Sequence, residues 1–304
     1  MTWLLTGGAG YIGSHVARAL RATGRDVVVL DDLSTGYPHR LCLTVPLIQA
    51  SILNHKIVTQ TLIRYRITGV IHLAAKKSAS ESDAYPSYYH KQNVVGLSQL
   101  LGAMSAADVT RLVFSSSAAV YGNAATDIID ESAPTMPISS YGATKLAGEK
   151  LVHRAGVVTG MNWLTLRCFN VAGAGALHLG DTGVSNLIPM AFHALDQRRR
   201  PEIFGTDYPT ADGSCVRDYV HVTDVAAAYV AAAQRLEQHP ASDVYNVGRG
   251  VGVSVKEVLR MIRHITGHSF EPKVVSRRPC DPLSHSSHHS HRSGNRLDRP
   301  PRFA

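Results

Sequence analysis

The chain has 304 residues, 44% of them hydrophobic, which is enough for one large α/β domain with a smaller appendage. Half of its net charge of +8 lies at the carboxyl end, where six arginines face two aspartates from Arg277 onward, an excess of four. Without a clustered basic helix this argues against a nucleic-acid partner, and no apolar run reaches the roughly 20 residues of a membrane span. Four scattered cysteines fit neither a zinc site nor a disulfide framework, and MTWLLTGGAGYIG carries no basic leader, so a cytoplasmic protein without metal is expected.

In chain order, WLLT (3–6) predicts a strand running directly into TGGAGYIGSH, with a helix over 11–23. Gly7, Gly10 and Gly13 have the spacing GxxGxxG. Glycines there permit a tight turn and bring backbone amides to a pyrophosphate at the helix N-terminus. Ordinary turns also use glycine, so the spacing alone is a weak signal. VVVLD (27–31) predicts the second strand, closing on Asp31 eighteen residues past Gly13. A carboxylate there accepts hydrogen bonds from ribose hydroxyls and repels a 2′-phosphate, which favours NAD over NADP.

Further strands are predicted at GVIHLAA (69–75), RLVFSSS (111–117) and WLTLRCF (163–169), separated by helices over 87–106 and 140–155. After residue 170 come Gly- and Pro-rich loops, a helix over 222–238, a short strand at 245–248 and a helix within 253–266. Continuous apolar strands alternating with helices mean α/β architecture, a doubly wound (Rossmann-type) parallel sheet covered on both faces, with a smaller, interleaved C-terminal substrate domain. The expected division gives 1–169 with about 215–249 to the nucleotide, 170–214 with 250–281 to the substrate, and 282–304 to an atypical tail.

Tyr141 and Lys145 stand four residues apart in SSYGATKLAGEK and therefore share a helix face. A nearby ammonium and a cationic nicotinamide both stabilise phenolate, turning a phenol of ordinary pKa near 10 into a general base for a substrate hydroxyl. Ser117, at the carboxyl end of the fourth predicted strand, is placed to hydrogen-bond both the reacting oxygen and Tyr141. A tyrosine and a lysine at this spacing also occur by accident on surface helices. Phe204 reads equally as plain core, and Arg217 beside Asp218 as a surface ion pair.

Taken together, TGGAGYIGSH, DDLSTG, VIHLAAKKSASES, SSSAAVYG, YGATK, LRCFNVAGA, IFGTDYPTADGSCVRDYVHV and YNVGRGVGVSV closely resemble the UDP-glucose 4-epimerases of the extended short-chain dehydrogenase/reductase family, over about residues 2–281. The resemblance implies Tyr141 as base, Lys145 as its activator and ribose anchor, and Ser117 as proton-relay partner. It implies contacts to NAD from Gly7, Gly10, Tyr11, Ile12, Gly13, Asp31, Asp32, Ser51, Ile52, Leu73, Ala74, Lys77, Asn93 and Phe169. For the UDP-sugar it implies Asn170, Asn186, Leu187, Phe204, Arg217, Tyr219, Arg278 and Asp281, with Ser117 and Tyr141. The implied activity is UDP-glucose/UDP-galactose interconversion through a transient 4-keto sugar, with NAD retained, in a homodimer. A 4-epimerase of a UDP-hexosamine or UDP-uronate, a nucleotide-sugar 4,6-dehydratase and an inactive NAD-binding scaffold are the rivals.

Several positions depart from the family pattern. Ser51 replaces the aspartate that receives the adenine amino group, Cys168 replaces the tyrosine of LRYFN, and Cys280 replaces the glycine of RRxGD. Ala118-Ala119 stands where the dehydratases carry an Asp-Glu pair, which argues against dehydration. Beyond Asp281, SHSSHHSH and its Ser-, Arg- and Pro-rich continuation have no helical or strand period. A metal-binding tract and a basic tail are weaker explanations there than a frameshifted end. Poor packing of 282–304, with intact NAD binding but weakened sugar binding and low turnover, is the expectation.

Overall fold

The computed structural model describes residues 1–123 and 128–278, and residues 284–287 as backbone. Asp281 and Cys280 lie outside the described residues. In chain order the strands are β1 (Thr2–Thr6), β2 (Asp26–Asp31), β3 (Leu47–Gln49), β4 (Gly69–His72), β5 (Arg111–Ser117), β6 (Ile128–Ile129) and β7 (Asn162–Cys168). They continue as β8 (Asn170–Ala172), β9 (Glu202–Phe204), β10 (Val216–His221), β11 (Ser242–Val247), β12 (Gly252–Ser254), β13 (Lys273–Val275) and β14 (Ser284–Ser287). The helices are α1 (Tyr11–Ala22), α2 (His55–Arg64), α3 (Ala79–Ala84), α4 (Pro86–Tyr89), α5 (Gly96–Ala106), α6 (Ser140–Thr159), α7 (Leu187–Asp196), α8 (Val222–Gln238) and α9 (Val255–Thr266).

Among the described residues a seven-stranded sheet runs β11-β7-β5-β4-β1-β2-β3, every pair parallel. The strands are apolar on both sides because both sides are covered. Trp3, Leu5, Val27, Val29, Ile71, Val113 and Leu164 pack against α1 and α8, whereas Leu4, Val28, Leu30, Val70, Leu112 and Phe114 pack against α2 and α5. The alternation of Trp3, Leu4 and Leu5 between the two clusters is the period of two that a pleated strand imposes. From β1 the chain winds outward to β2 and β3, then returns to lay β4 on the opposite side, so a crevice opens beyond the carboxyl ends of β1 and β4.

The predicted helix over 87–106 is α4 and α5 joined through a π-helical stretch, His90–Val95, which turns Asn93 inward to 5% exposure. A π turn leaves no mark in apolar periodicity, so the sequence shows one plain helix there. A five-stranded sheet carries β10, paired antiparallel with β12 and parallel with β8 and β14, while β14 also pairs with β6. Beside it, β9 pairs with β13, and α7 and α9 close over Ala191, Ile203, Leu259 and Ile262. The expectation of no strand period after Asp281 fails at Ser284–Ser287, where backbone pairing with two neighbours forms a strand that side-chain pattern does not announce. Residues 282–283 and 288–304 lie outside the described residues.

Candidate active site

The turn after β1 makes the floor of a groove of about 530 Å³. Gly7 sits at φ +74°, and a Cβ there would lie 2.7 Å from the Ala74 nitrogen; one on Gly13 would collide with the Gly7 carbonyl. Only glycine lets α1 begin this close to the turn. Gly10 caps α1 without a side chain, so the positive end of the helix faces the groove beside Tyr11 and Ile12. At the end of β2, Asp31 Oδ2 accepts from Ala9 N at 2.9 Å and Oδ1 from Leu33 N at 2.8 Å. Burial raises its pKa while those two N–H groups oppose the shift. Asp32 Oδ1 accepts from Ser34 N and Ser34 Oγ at 2.9 and 2.6 Å. Ser51, Ile52, Leu73, Ala74 and Lys77 complete the walls, and Ser51 Oγ accepts from Leu53 N at 3.2 Å. A helix N-terminus in a glycine cradle with a buried carboxylate one strand away fits a dinucleotide: amides for the pyrophosphate, acceptors for a ribose.

Asn93 is not on that wall. Its Oδ1 accepts from Lys76 N at 2.8 Å, and its Nδ2 donates to Lys76 O and to Thr144 Oγ1, both at 3.0 Å. It stands behind the loop that carries Lys77 and ties that loop to α6.

The N-terminus of α6 is fixed from three directions. Ser139 Oγ accepts from Gly142 N at 3.1 Å, Ser82 Oγ from Tyr141 N at 2.9 Å, and Asp83 Oδ1 from Ser140 N at 2.8 Å. Lys145, one turn on, is buried, donates from Nζ to Ser115 O at 2.7 Å and lies 5.9 Å from the Tyr141 ring centre. Burial pushes the Lys145 ammonium down to about 8. The Tyr141 phenol is pushed up to about 12 by burial, with a hydrogen bond to Ser117 opposing. Desolvation thus dominates at the Tyr141 phenol, and the Ser117 hydrogen bond is the contribution that favours the phenolate, while Lys145 Nζ is committed to the Ser115 carbonyl. Cys168, opposite Ser117 in the β5–β7 register, has its thiol raised by burial to about 11 and lies 3.6 Å from Tyr229 Oη.

Beneath these residues lies a buried network that sequence patterns do not disclose. Arg167 grips Glu149 through Nε at 2.9 Å and Nη2 at 2.7 Å, and Ser116 Oγ donates to Glu149 Oε1 at 2.5 Å. Arg167 Nη1 donates to Tyr121 Oη at 2.9 Å, and Tyr121 donates to Asn246 Oδ1 at 2.7 Å. The network welds α6 to the ends of β5 and β7. Its one sequence signal is a glutamate four residues after Lys145, which alone reads as a solvated helix face.

Every expected substrate-site residue among those described lines a second cavity of about 420 Å³. Asn170 opens β8, Asn186 precedes α7 and Leu187 begins it, while Arg217 and Tyr219 share one face of β10. Burial pushes the Tyr219 phenol up to about 12. Phe204 is half-buried, with the Arg278 guanidinium 4.3 Å from its ring centre, so it is a wall and not plain core. The Asp218 carboxylate is fully buried and accepts from Arg249 N and Gly250 N at 2.8–3.0 Å, on the side of β10 away from Arg217. That disposes of the surface ion pair. Phe169 also lines this cavity, and Tyr11, Ile12 and Lys77 line both, so groove and cavity are continuous. Among the described residues no cluster of His, Cys, Asp and Glu could hold a metal ion, and no helix is long and apolar enough to cross a membrane.

The sequence profile of the NAD dependent epimerase/dehydratase family matches residues 3–248. UDP-glucose 4-epimerase of Halalkalibacterium halodurans is 42% identical over 288 residues, spanning 93% of this chain and 86% of that protein. The enzyme of the same name from Azospirillum brasilense is 42% identical over 285 residues, 92% of this chain and 81% of the relative. Among solved structures, UDP-glucose 4-epimerase from Stenotrophomonas maltophila with bound NAD and formylated UDP-arabinopyranose superposes with a TM-score of 0.90 at 38% identity, covering 95% of this chain and 90% of that one. The Brucella ovis UDP-glucose 4-epimerase in complex with NAD gives a TM-score of 0.90 at 36% identity, over 95% and 90% of the two chains.

Proposed function

This chain belongs to the NAD dependent epimerase/dehydratase family, and from that premise we propose that it is a UDP-glucose 4-epimerase, interconverting UDP-glucose and UDP-galactose with NAD as cofactor. The observation that carries the reading is continuity: a groove suited to a dinucleotide opens into a cavity where Ser117 and Tyr141 face Phe169, Arg217 and Arg278. NAD bound in the groove supplies the acceptor and donor of the C4 hydride and a positive charge beside the phenol.

In this assignment Tyr141 takes the proton from the C4 hydroxyl and Ser117 holds the reacting oxygen and the phenol in line. Lys145, at hydrogen-bond distance from Ser115 O, keeps the end of β5 in place and adds positive potential under the phenolate. Arg217 and Arg278 meet the diphosphate, each as a planar fork suited to two oxygens. Affinity concentrated on the nucleotide leaves the sugar free to turn between hydride removal and return. We assign residues 1–169 with about 215–249 to the cofactor half and 170–214 with 250–281 to the sugar half. A homodimer and a cytoplasmic location complete the proposal on the strength of the resemblance.

The test is incubation of the purified chain with UDP-galactose and no added NAD, following UDP-glucose by chromatography. UDP-glucose formation is expected. A 4-keto-6-deoxy sugar as main product would establish the dehydratase, although the small Ala118-Ala119 pair beside Ser117 offers no acid to expel a C6 hydroxyl. UDP-hexosamine and UDP-uronate substrates assayed in parallel fix the preferred sugar, and light scattering reads the assembly.

A further inference from the structure

The segment between β8 and α7 crosses the cofactor groove and is tied down on both banks. In the sheet β2 and β4 flank β1, so a segment fastened to loops that follow both strands must pass over the glycine turn that follows β1. On the β2 side Arg40, only 3% exposed, donates from Nη2 to Gly180 O at 2.7 Å and to Thr182 Oγ1 at 3.1 Å. On the β4 side Lys77 Nζ lies 3.4 Å from Asp181 Oδ2. Nearer β8, Tyr11 Oη donates to Gly173 O at 2.6 Å, and Gly175 N donates to His15 Nε2 at 2.9 Å. Asp181 to Ser185 line the groove together with Gly7, Gly10 and Gly13.

We propose that residues 173–185 form a strap that retains the dinucleotide, with Arg40 and Asp181 as the positioning residues that hold it shut. The inference rests on the reading of the groove as an NAD site. A dinucleotide leaving the groove must pass the strap, so its release waits on rupture of the ties to Arg40 and Lys77. Asp181 also reaches toward the sugar side, since its Oδ2 accepts from Asn186 Nδ2 at 3.2 Å, the residue that leads into α7 at the sugar cavity. One carboxylate therefore joins a residue on the cofactor wall to a residue on the sugar wall. A retained cofactor is what an epimerase needs, because the hydride returns to the sugar that gave it and no exchange with free NAD is called for.

The experiment compares the native chain with Asp181→Asn and Arg40→Leu. Each protein is loaded with NAD, freed of excess by gel filtration and assayed for NAD per chain and for the rate of NAD dissociation on dilution. Loss of one hydrogen bond involving a charged group corresponds to about a tenfold change in a rate constant. About tenfold faster release is expected for each variant, because Asp181→Asn gives up the Oδ2 bonds to Lys77 and Asn186 and Arg40→Leu those to Gly180 and Thr182, together with a raised apparent KM for added NAD. Release within twofold of native in Asp181→Asn overturns the strap, and because that change keeps the side chain's shape it decides the matter even if Arg40→Leu fails to fold. A fall in kcat that saturating NAD does not rescue, with retention unchanged, also overturns it. If calorimetry finds no NAD binding to the native chain, the functional reading itself falls; native binding with unaltered release in the variants removes the strap alone.

Discussion

At the scale of single residues, Tyr141 is held by opposing demands. Burial makes its phenolate costly, yet the proposed chemistry needs a proton acceptor in that place. Tyr141→Phe keeps the ring and its packing and removes the acceptor, so kcat should fall by roughly two to four orders of magnitude with NAD still bound; steady-state kinetics beside NAD content checks this. Normal turnover would remove Tyr141 from the mechanism. His72, on the neighbouring strand end, is buried, lies 2.7 Å from Thr6 Oγ1 and is pushed down to about 3 by desolvation. From the ordinary value of 6.5 down to about 3 the unfolded chain binds a proton that the folded chain refuses. Stability from this residue is therefore present above pH 6.5 and is lost as pH falls through that window, by about 1.4 kcal/mol per pH unit. His72→Leu should make the difference in urea midpoint between pH 7 and pH 5 smaller. An unchanged difference would mean that other groups carry the acid sensitivity.

At the scale of elements, the catalytic face depends on how α6 is welded to β5 and β7. The Glu149–Arg167 pair is desolvated, with side chains 10% and 8% exposed, so breaking it leaves an uncompensated buried charge. Glu149→Gln should cost about 3–5 kcal/mol of stability by chemical denaturation. Since Ser116, Tyr121 and Asn246 share the network, Glu149→Gln with Asn246→Ala should cost less than the sum of the two single changes. The strand β14 is an element that only pairing reveals. Its backbone stands between β10 and β6, with His285 opposite Arg217 in the register. Ser286→Pro removes a donor from a strand bonded on both sides, and we expect weaker UDP binding by calorimetry with NAD binding unchanged. Equal loss of both ligands would tie β14 to the whole fold and not to the sugar side.

At the scale of the molecule, the groove and the cavity share the walls made by Tyr11, Ile12 and Lys77, so filling one organises part of the other. Thermal unfolding should therefore move up with NAD by mass action and up again with UDP. The second increment should be larger in the NAD-loaded chain than in chain stripped of cofactor; equal increments would show the two sites to be independent.

The sequence by itself determined the winding of the large sheet, the phosphate turn and the pairing of Tyr141 with Lys145. Each of these is written in local periodicity: apolar runs of strand length, glycines at fixed spacing, and side chains one helical turn apart. It also located the cavity walls through motifs as far as Arg278. Only the tertiary structure decided the rest. The Glu149–Arg167 weld joins residues 18 apart in sequence, Tyr121 reaches Asn246 across 125 positions, and Arg40 meets Gly180 across 140. None of these partners has a spacing that marks it, because each is brought to the other by the sheet order. The same holds for the pKa of Tyr141, for Asn93 standing behind its loop and for Ser284–Ser287 becoming a strand. Burial and backbone pairing are properties of the assembled neighbours, and a polar stretch can take a place in a sheet wherever two strand edges are already waiting for it.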